Sequence, residues 1–173
     1  MRVSFLMQPI QYCPVQFLGP RLLRMSIARV LVVDAFKPWR EVLCRLLENE
    51  LDLLVLHSSS DGMDAVRQAA RYQPDLVILD VDLPGLNGIE VARQISQLSP
   101  KPKLMFLSMN VDPDIVQAAF EAGADAFVLK TDAAKDLLVA VPQMAAGQRF
   151  VSAAISVARG LRPPRGTHPK RED

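Results

Sequence analysis

No stretch of the chain reaches the ~18 consecutive apolar residues of a membrane span. At the N-terminus, Gln8, Pro9, Gln11, Pro14 and Gln16 interrupt any signal-like apolar run. A cytoplasmic protein without a membrane partner is therefore expected. Cysteine is scarce: Cys13 and Cys44 stand far apart and form no motif, which excludes a disulfide scaffold or a thiolate metal site. Cys44 falls on an apolar helical face and reads as a reduced core residue. Net charge is lacking too. The 173 residues sum to +1, so the whole chain is not a polyanion binder. The charge is segregated, however: residues 26–150 carry 12 Lys or Arg against 17 Asp or Glu, whereas residues 1–25 and 151–173 are each +3. An acidic centre argues against a DNA-reading surface there. Half of the residues are hydrophobic and few are aromatic, which leaves an ordinary globular domain with tails.

What is present is a regular alternation. ARVLVV, 28–33, is an apolar run ending at Asp34 and predicts a buried strand. Residues 38–48 place Val42, Leu43, Leu46 and Leu47 on one helical face, with Pro38 in a first turn that tolerates it. LLVLH, 53–57, is a second strand; Ser58 to Asp61 cap a helix through MDAVRQAARY. DLVIL, 75–79, and GIEVARQISQL form a third pair, and KLMFL, 103–107, with PDIVQAAFEAG, closed by Gly123, a fourth. AFVL, 126–129, is a fifth strand, and AAKDLLVAVPQMAAG a last helix, bent at Pro142 and stopped at Gly147. Five βα units with near-continuous apolar strands predict an α/β fold: one doubly wound parallel sheet covered on both faces. Sites in such sheets lie beyond the carboxyl ends of the strands. Those ends are, in order, Asp34, His57, Asp80, Ser108 and Lys130. His57 is given no role.

The segment LVILDVDLPGLNG, 76–88, delivers two aspartates to the exit of a buried strand. Carboxylates are costly to bury without a partner, so Asp80 and Asp82 ask for a cation, a phosphate or water. Two carboxylates can hold Mg²⁺, which takes oxygen ligands and keeps several waters. An aspartate can itself become an aspartyl-phosphate, a lysine can offer the phosphate a point charge, and a serine a hydrogen bond. Asp34, Asp80, Ser108 and Lys130 are thus chemically sufficient for phosphoryl transfer to Asp80.

VLVVDAFKPWREVLCRLLE, PDLVILDVDLPGLNGIEVARQI, KLMFLSMN and EAGADAFVLKTDAAKDLLVAVPQMAAGQRFVS together resemble the response regulator receiver domains of two-component signalling, over residues 28 to about 150. AGADAFVLKTD followed by AAGQRFVS is most similar to receivers of the LuxR/NarL type, which usually carry a helix-turn-helix domain. The resemblance implies a flavodoxin-like, five-stranded sheet of order 2-1-3-4-5 with five helices; that order is carried over from a family member used as a standard example of the fold. It implies that Asp80 accepts phosphate from a sensor histidine kinase or phosphotransfer protein, that Ser108 and Lys130 sense it, and that Phe127 is the switch aromatic. It implies Mg²⁺ held by Asp34 and by the main-chain carbonyl of Asp82, and an output protein that the sequence does not name. The module would be a signalling protein and not an enzyme.

Three departures stand out. The family's first strand usually ends in two adjacent acids; here it ends Asp34–Ala35, and alanine cannot ligate a metal. Met109 follows Ser108 where a small residue is usual, which predicts a crowded pocket. Thr131 follows the lysine where many members have proline, although a non-proline is common in this branch. Mg²⁺ binding is therefore expected to be weak, and a phosphorylation-independent interaction module is the alternative. ILDVDLPG also resembles the Asp-x-Asp motif of haloacid dehalogenase-type phosphatases, but that motif sits on a first strand, and no acidic strand end follows Lys130. Residues 1–25 are expected to be a disordered extension; residues 1–24, ahead of Met25, read as such an extension or as an untranslated leader from an upstream start, and their deletion is expected to leave the melting temperature nearly unchanged. Residues 26–150 form the receiver domain and 151–173 a disordered basic tail. The 23 residues after 150 are fewer than the ~50 of an independent domain, so a stand-alone receiver without direct DNA binding is expected. The face carrying Val116, Ala119, Phe120, Phe127 and Leu138 would support at most a weak homodimer.

Overall fold

A computed structural model describes residues 29–158, apart from Asp52 and Val111. The elements alternate as the sequence pattern requires: β1 (Arg29–Val33), α1 (Lys37–Leu51), β2 (Leu54–Ser59), α2 (Gly62–Tyr72), β3 (Leu76–Asp80), α3 (Gly88–Ile95), β4 (Lys103–Ser108), α4 (Pro113–Glu121), β5 (Ala126–Leu129), a 3₁₀ turn at Lys130–Asp132, α5 (Ala133–Ala145), β6 (Phe150–Val151) and α6 (Ala153–Ala158). All strand pairs are parallel. The order is β2-β1-β3-β4-β5-β6.

The sheet buries both faces because successive strand residues point to opposite sides. Leu31, Val33, Val77, Leu79, Leu104 and Phe106 face one layer, formed with residues of α2, α3 and α4. Val30, Val32, Leu76, Ile78, Met105 and Leu107 face the other, formed with α1 and α5. Local chemistry starts and stops the helices. Asp61 and Asn87 accept from the amides of Asp64 and Glu90, satisfying donors that a helix N-terminus leaves free. Gly123, at φ +102, ends α4 in a conformation that favours glycine.

Two expectations need correction. The sheet has six strands, and among the described residues there are six helices, not five of each. The extra elements are a two-residue strand and a six-residue helix, too short to show a period. β6 forms because β5 would otherwise be an open edge: Phe150 and Val151 pair with Ala126 and Phe127. Order therefore runs past the expected limit at residue 150, and Ser152 and Ile155 are fully buried. Second, His57 lies within β2 and not at its end. Leu31 pairs with His57 where Val30 pairs with Val55, a bulge that adds one residue. Ser59 becomes the strand end, and its carbonyl accepts from Asp34 N at 3.0 Å. The expected extension at 1–25 and the remainder of the expected tail, 159–173, lie outside the described residues.

Candidate functional site

Asp34 follows β1, Asp80 ends β3 and Lys130 follows β5. β3 lies beside β1, with β4 between β3 and β5, so all three residues leave the same edge of the sheet. Both carboxylates are buried, and Lys130 is the cation between them. Its Nζ lies 2.7 Å from Asp80 Oδ2 and 2.7 Å from Asp34 Oδ2, with 11% of its side chain exposed. The Asp80 contact is an aligned hydrogen bond. The Asp34 contact is an ion pair off that alignment, so Asp34 Oδ2 has close charge compensation without a hydrogen-bond partner.

The remaining lone pairs are held by the backbone. Asp34 Oδ1 accepts from Phe36 N at 2.8 Å, and Asp80 Oδ1 from Asp82 N at 3.2 Å. Arg40 donates to the main-chain oxygen of Asp34. Gly88 lets α3 begin against β3: a Cβ there would lie 2.1 Å from the main-chain oxygen of Asp80 and 2.9 Å from Val81 Cα. Any larger residue would push the Asp80 backbone out of line.

Two carboxylates and one ammonium leave the cluster at −1. Burial is the largest influence on Asp80 and raises its pKa, against the hydrogen bond and charge of Lys130. Burial would lower the pKa of Lys130, but its close pairing with Asp34 and Asp80 outweighs it and the value rises. The ammonium thus stays charged and the site is tuned around it.

Other expected residues stand at different distances from this cluster. Ser108 is fully buried at the end of β4, beside Leu129 of β5. Its Oγ accepts from Asn110 N at 2.9 Å, which leaves its own hydrogen available to donate. Asp82 is exposed and joins the cluster only through its amide. Phe127 is fully buried and stacks on Phe106, with ring centroids 6.0 Å apart. Met109 does not crowd the pocket as expected: 67% of it is exposed. The oxygen-only donor set suits a hard cation in kind, but among the described residues no three His, Cys, Asp or Glu side chains converge. Ala35 sits exposed where a third carboxylate would complete the set.

Residues 30–142 match the family model of the response regulator receiver domain. The chain belongs to the response regulator receiver family. It is 34% identical over 120 residues to the transcriptional regulatory protein LiaR of Bacillus subtilis, covering 69% of this chain and 57% of that protein. It is 31% identical over 142 residues to the nitrate/nitrite response regulator NarL of Escherichia coli, covering 81% and 66%. The chain thus spans between half and two thirds of the length of these relatives. A solved LuxR-family two-component response regulator from Aurantimonas superposes with a TM-score of 0.72 at 32% identity, covering 78% of this chain and 97% of that one. Receivers of this LuxR/NarL group are signalling proteins and not enzymes, which removes the phosphatase reading. No helix among the described residues is long and apolar enough to cross a membrane.

Within this receiver, sequence reasoning overlooked Asp64 in the first turn of α2. Its carboxylate accepts from Gln68 and Arg67, each at 3.0 Å, and lies 3.3 Å from His57 Nε2. The Gln68 hydrogen bond, then bonds from Ser59, His57 and Arg67, hold its pKa at about 2 against burial. The ordinary value is 3.8. The resulting stability is present above that value and is lost as pH falls from it towards 2. Because 26% of the Asp64 side chain is still open to solvent, Asp64→Asn is expected to cost about 1 kcal/mol at pH 7 once solvent screening is discounted. Urea unfolding at pH 7 and at pH 3 checks this: the deficit shrinks in acid, and an equal deficit at both would refute it.

Proposed function

We propose that this receiver takes a phosphoryl group on Asp80 from a phosphohistidine of a sensor histidine kinase or phosphotransfer protein. The observation that carries the reading is the convergence of Asp80, Asp34 and Lys130 at one edge of the sheet, with both aspartates buried and the lysine between them. In the step, a carboxylate oxygen of Asp80 attacks phosphorus, the P–N bond breaks, and the electron pair leaves with the imidazole. Its burial-raised pKa makes Asp80 the stronger nucleophile once ionised. Lys130 then moves its hydrogen bond from the carboxylate to a phosphoryl oxygen, and Ser108 donates to another. Phe127, buried within β5, is the aromatic that responds to the Ser108 movement.

Asp34, Asp80 and the Asp82 carbonyl would hold Mg²⁺. The ion neutralises the approaching phosphoryl group when bound, and Ala35 makes that binding weak. The receiver passes its state to an output protein through surface contacts. The acidic balance of residues 26–150 disfavours direct DNA binding by this unit, and a cytoplasmic location fits a kinase-facing receiver. Of the five residues expected at a pairing face, Val116, Ala119 and Phe127 are core, Phe120 is partly buried, and Leu138 is exposed. A homodimer through this face would be weak.

The test is incubation with a small phosphodonor and Mg²⁺, read by intact mass. One phosphoryl group is expected on the native protein and none on Asp80→Asn. A second reading, a phosphorylation-independent receiver, has a specific support: Lys130 already compensates both carboxylates while Ala35 removes a metal ligand. An unlabelled but folded native protein at high Mg²⁺ would decide for it.

A further inference from the structure

The strand that delivers Lys130 is fastened at its last residue by a side chain from beyond the expected end of the domain. Ser152 is fully buried. Its amide donates to Phe127 O at 3.0 Å, and its Oγ accepts from Leu129 N at 3.0 Å. The same hydroxyl donates to Asp136 Oδ2 in the first turn of α5. β6 is only two residues long and cannot offer Leu129 a carbonyl, so the serine hydroxyl continues the ladder in its place. Leu129 is the residue before Lys130, and Asp136 lies on the helix that follows it. Lys130 is thus held from both sides in sequence by one buried hydroxyl–carboxylate pair. The pair also anchors the outgoing chain, since Ser152 O accepts from Ile155 N at 3.0 Å and Ile155 is fully buried.

The bland reading is a buried polar pair that merely closes the sheet. Its chemistry argues for more. A buried carboxylate is costly, and among the described residues the Ser152 hydroxyl is the hydrogen-bond partner given to Asp136. An apolar pair would close the edge without that cost. What an apolar pair could not do is fix the Leu129 amide while joining α5 to the segment that leaves the domain.

We infer that Ser152 and Asp136 are positioning residues for Lys130, and that they couple the outgoing segment 153–158 to the site at Asp80. Movement of Lys130 towards a phosphoryl oxygen pulls on Leu129 and loosens its bond to Ser152. By linkage, loosening the segment also alters how the site accepts phosphate. The phosphate half of this inference rests on Asp80 being the phosphoacceptor; the positioning half does not.

The test uses the full chain and two readings. One is the NMR resonance of the Lys130 side-chain ammonium, which needs no phosphate. The other is the initial rate of labelling by acetyl phosphate with Mg²⁺. Ser152→Ala is expected to shift or broaden the ammonium resonance and to slow labelling roughly fivefold, with Ser152→Thr restoring both. If Ser152→Ala does not fold, Asp136→Ala is read in the same way. Faster amide exchange confined to 150–158, with the Lys130 resonance and labelling rate unchanged, would reduce the pair to a structural anchor and overturn the inference. If the native protein is never labelled, the phosphoacceptor reading fails. The ammonium resonance then decides the positioning role: perturbed and restored by threonine upholds it, and unmoved overturns it.

Discussion

Lys130→Met is expected to lower stability by about 3 kcal/mol at neutral pH, because it leaves two buried carboxylates without their cation. In the native protein Nζ sits 2.7 Å from both Asp34 and Asp80, and among the described residues no other cation is paired with either carboxylate. The pH dependence gives the cause a signature. Lys130 has a folded pKa above the ordinary 10.5, so its contribution is fully present below that value and is lost only as pH rises through the higher folded value. The native protein should therefore hold this part of its stability across the neutral range. In the variant, protonating Asp80, whose pKa burial raises, relieves the repulsion, so the deficit should shrink as pH falls through the carboxylate range. Mg²⁺, entering beside the same carboxylates, should restore part of it. Urea unfolding at pH 7 with and without Mg²⁺, and again at pH 4, checks all three. A deficit untouched by acid and by Mg²⁺ would mean that the lysine acts through the packing of its stem.

Ala35→Asp is expected to tighten Mg²⁺ about tenfold, since affinity at hard-cation sites follows the number of charged ligands. Ala35 is exposed in the loop after β1, beside Asp34, whose carboxylate is held in place by Phe36 N. A carboxylate there needs no space cleared in the core. Without metal it adds a like charge to a cluster that already carries −1, and the apo domain should lose about 1 kcal/mol. With Mg²⁺ that loss should reverse and labelling of Asp80 should accelerate, because the ion offsets repulsion as the phosphoryl group approaches. Trp39, partly buried on α1, is the only tryptophan and reports the titration by fluorescence. Equal Mg²⁺ affinity in the native protein and the variant would show that Ala35 is not what limits the site.

Much of this receiver was written in its local pattern. Strands with continuous apolar content and helices with a single apolar stripe place Asp34, Asp80, Ser108 and Lys130 at strand ends, because a parallel sheet brings every carboxyl end to one edge. Spacing along the chain was enough to name the residues that could meet there. It could not say which of them touch. Lys130 bridging both aspartates, Ser108 bonded instead to Asn110 N, and Phe127 stacked on Phe106 follow from strand order and side-chain packing, to which periodicity is blind. The bulge that moves His57 inside β2 depends on pairing with β1 and leaves no local mark. β6 and α6 are the clearest case. Two residues carry no period, and Phe150–Val151 is a strand only because β5 offers an unpaired edge. The buried Ser152–Asp136 pair joins residues 16 apart, so the order of the chain past residue 150 was decided by tertiary contact and not by local pattern.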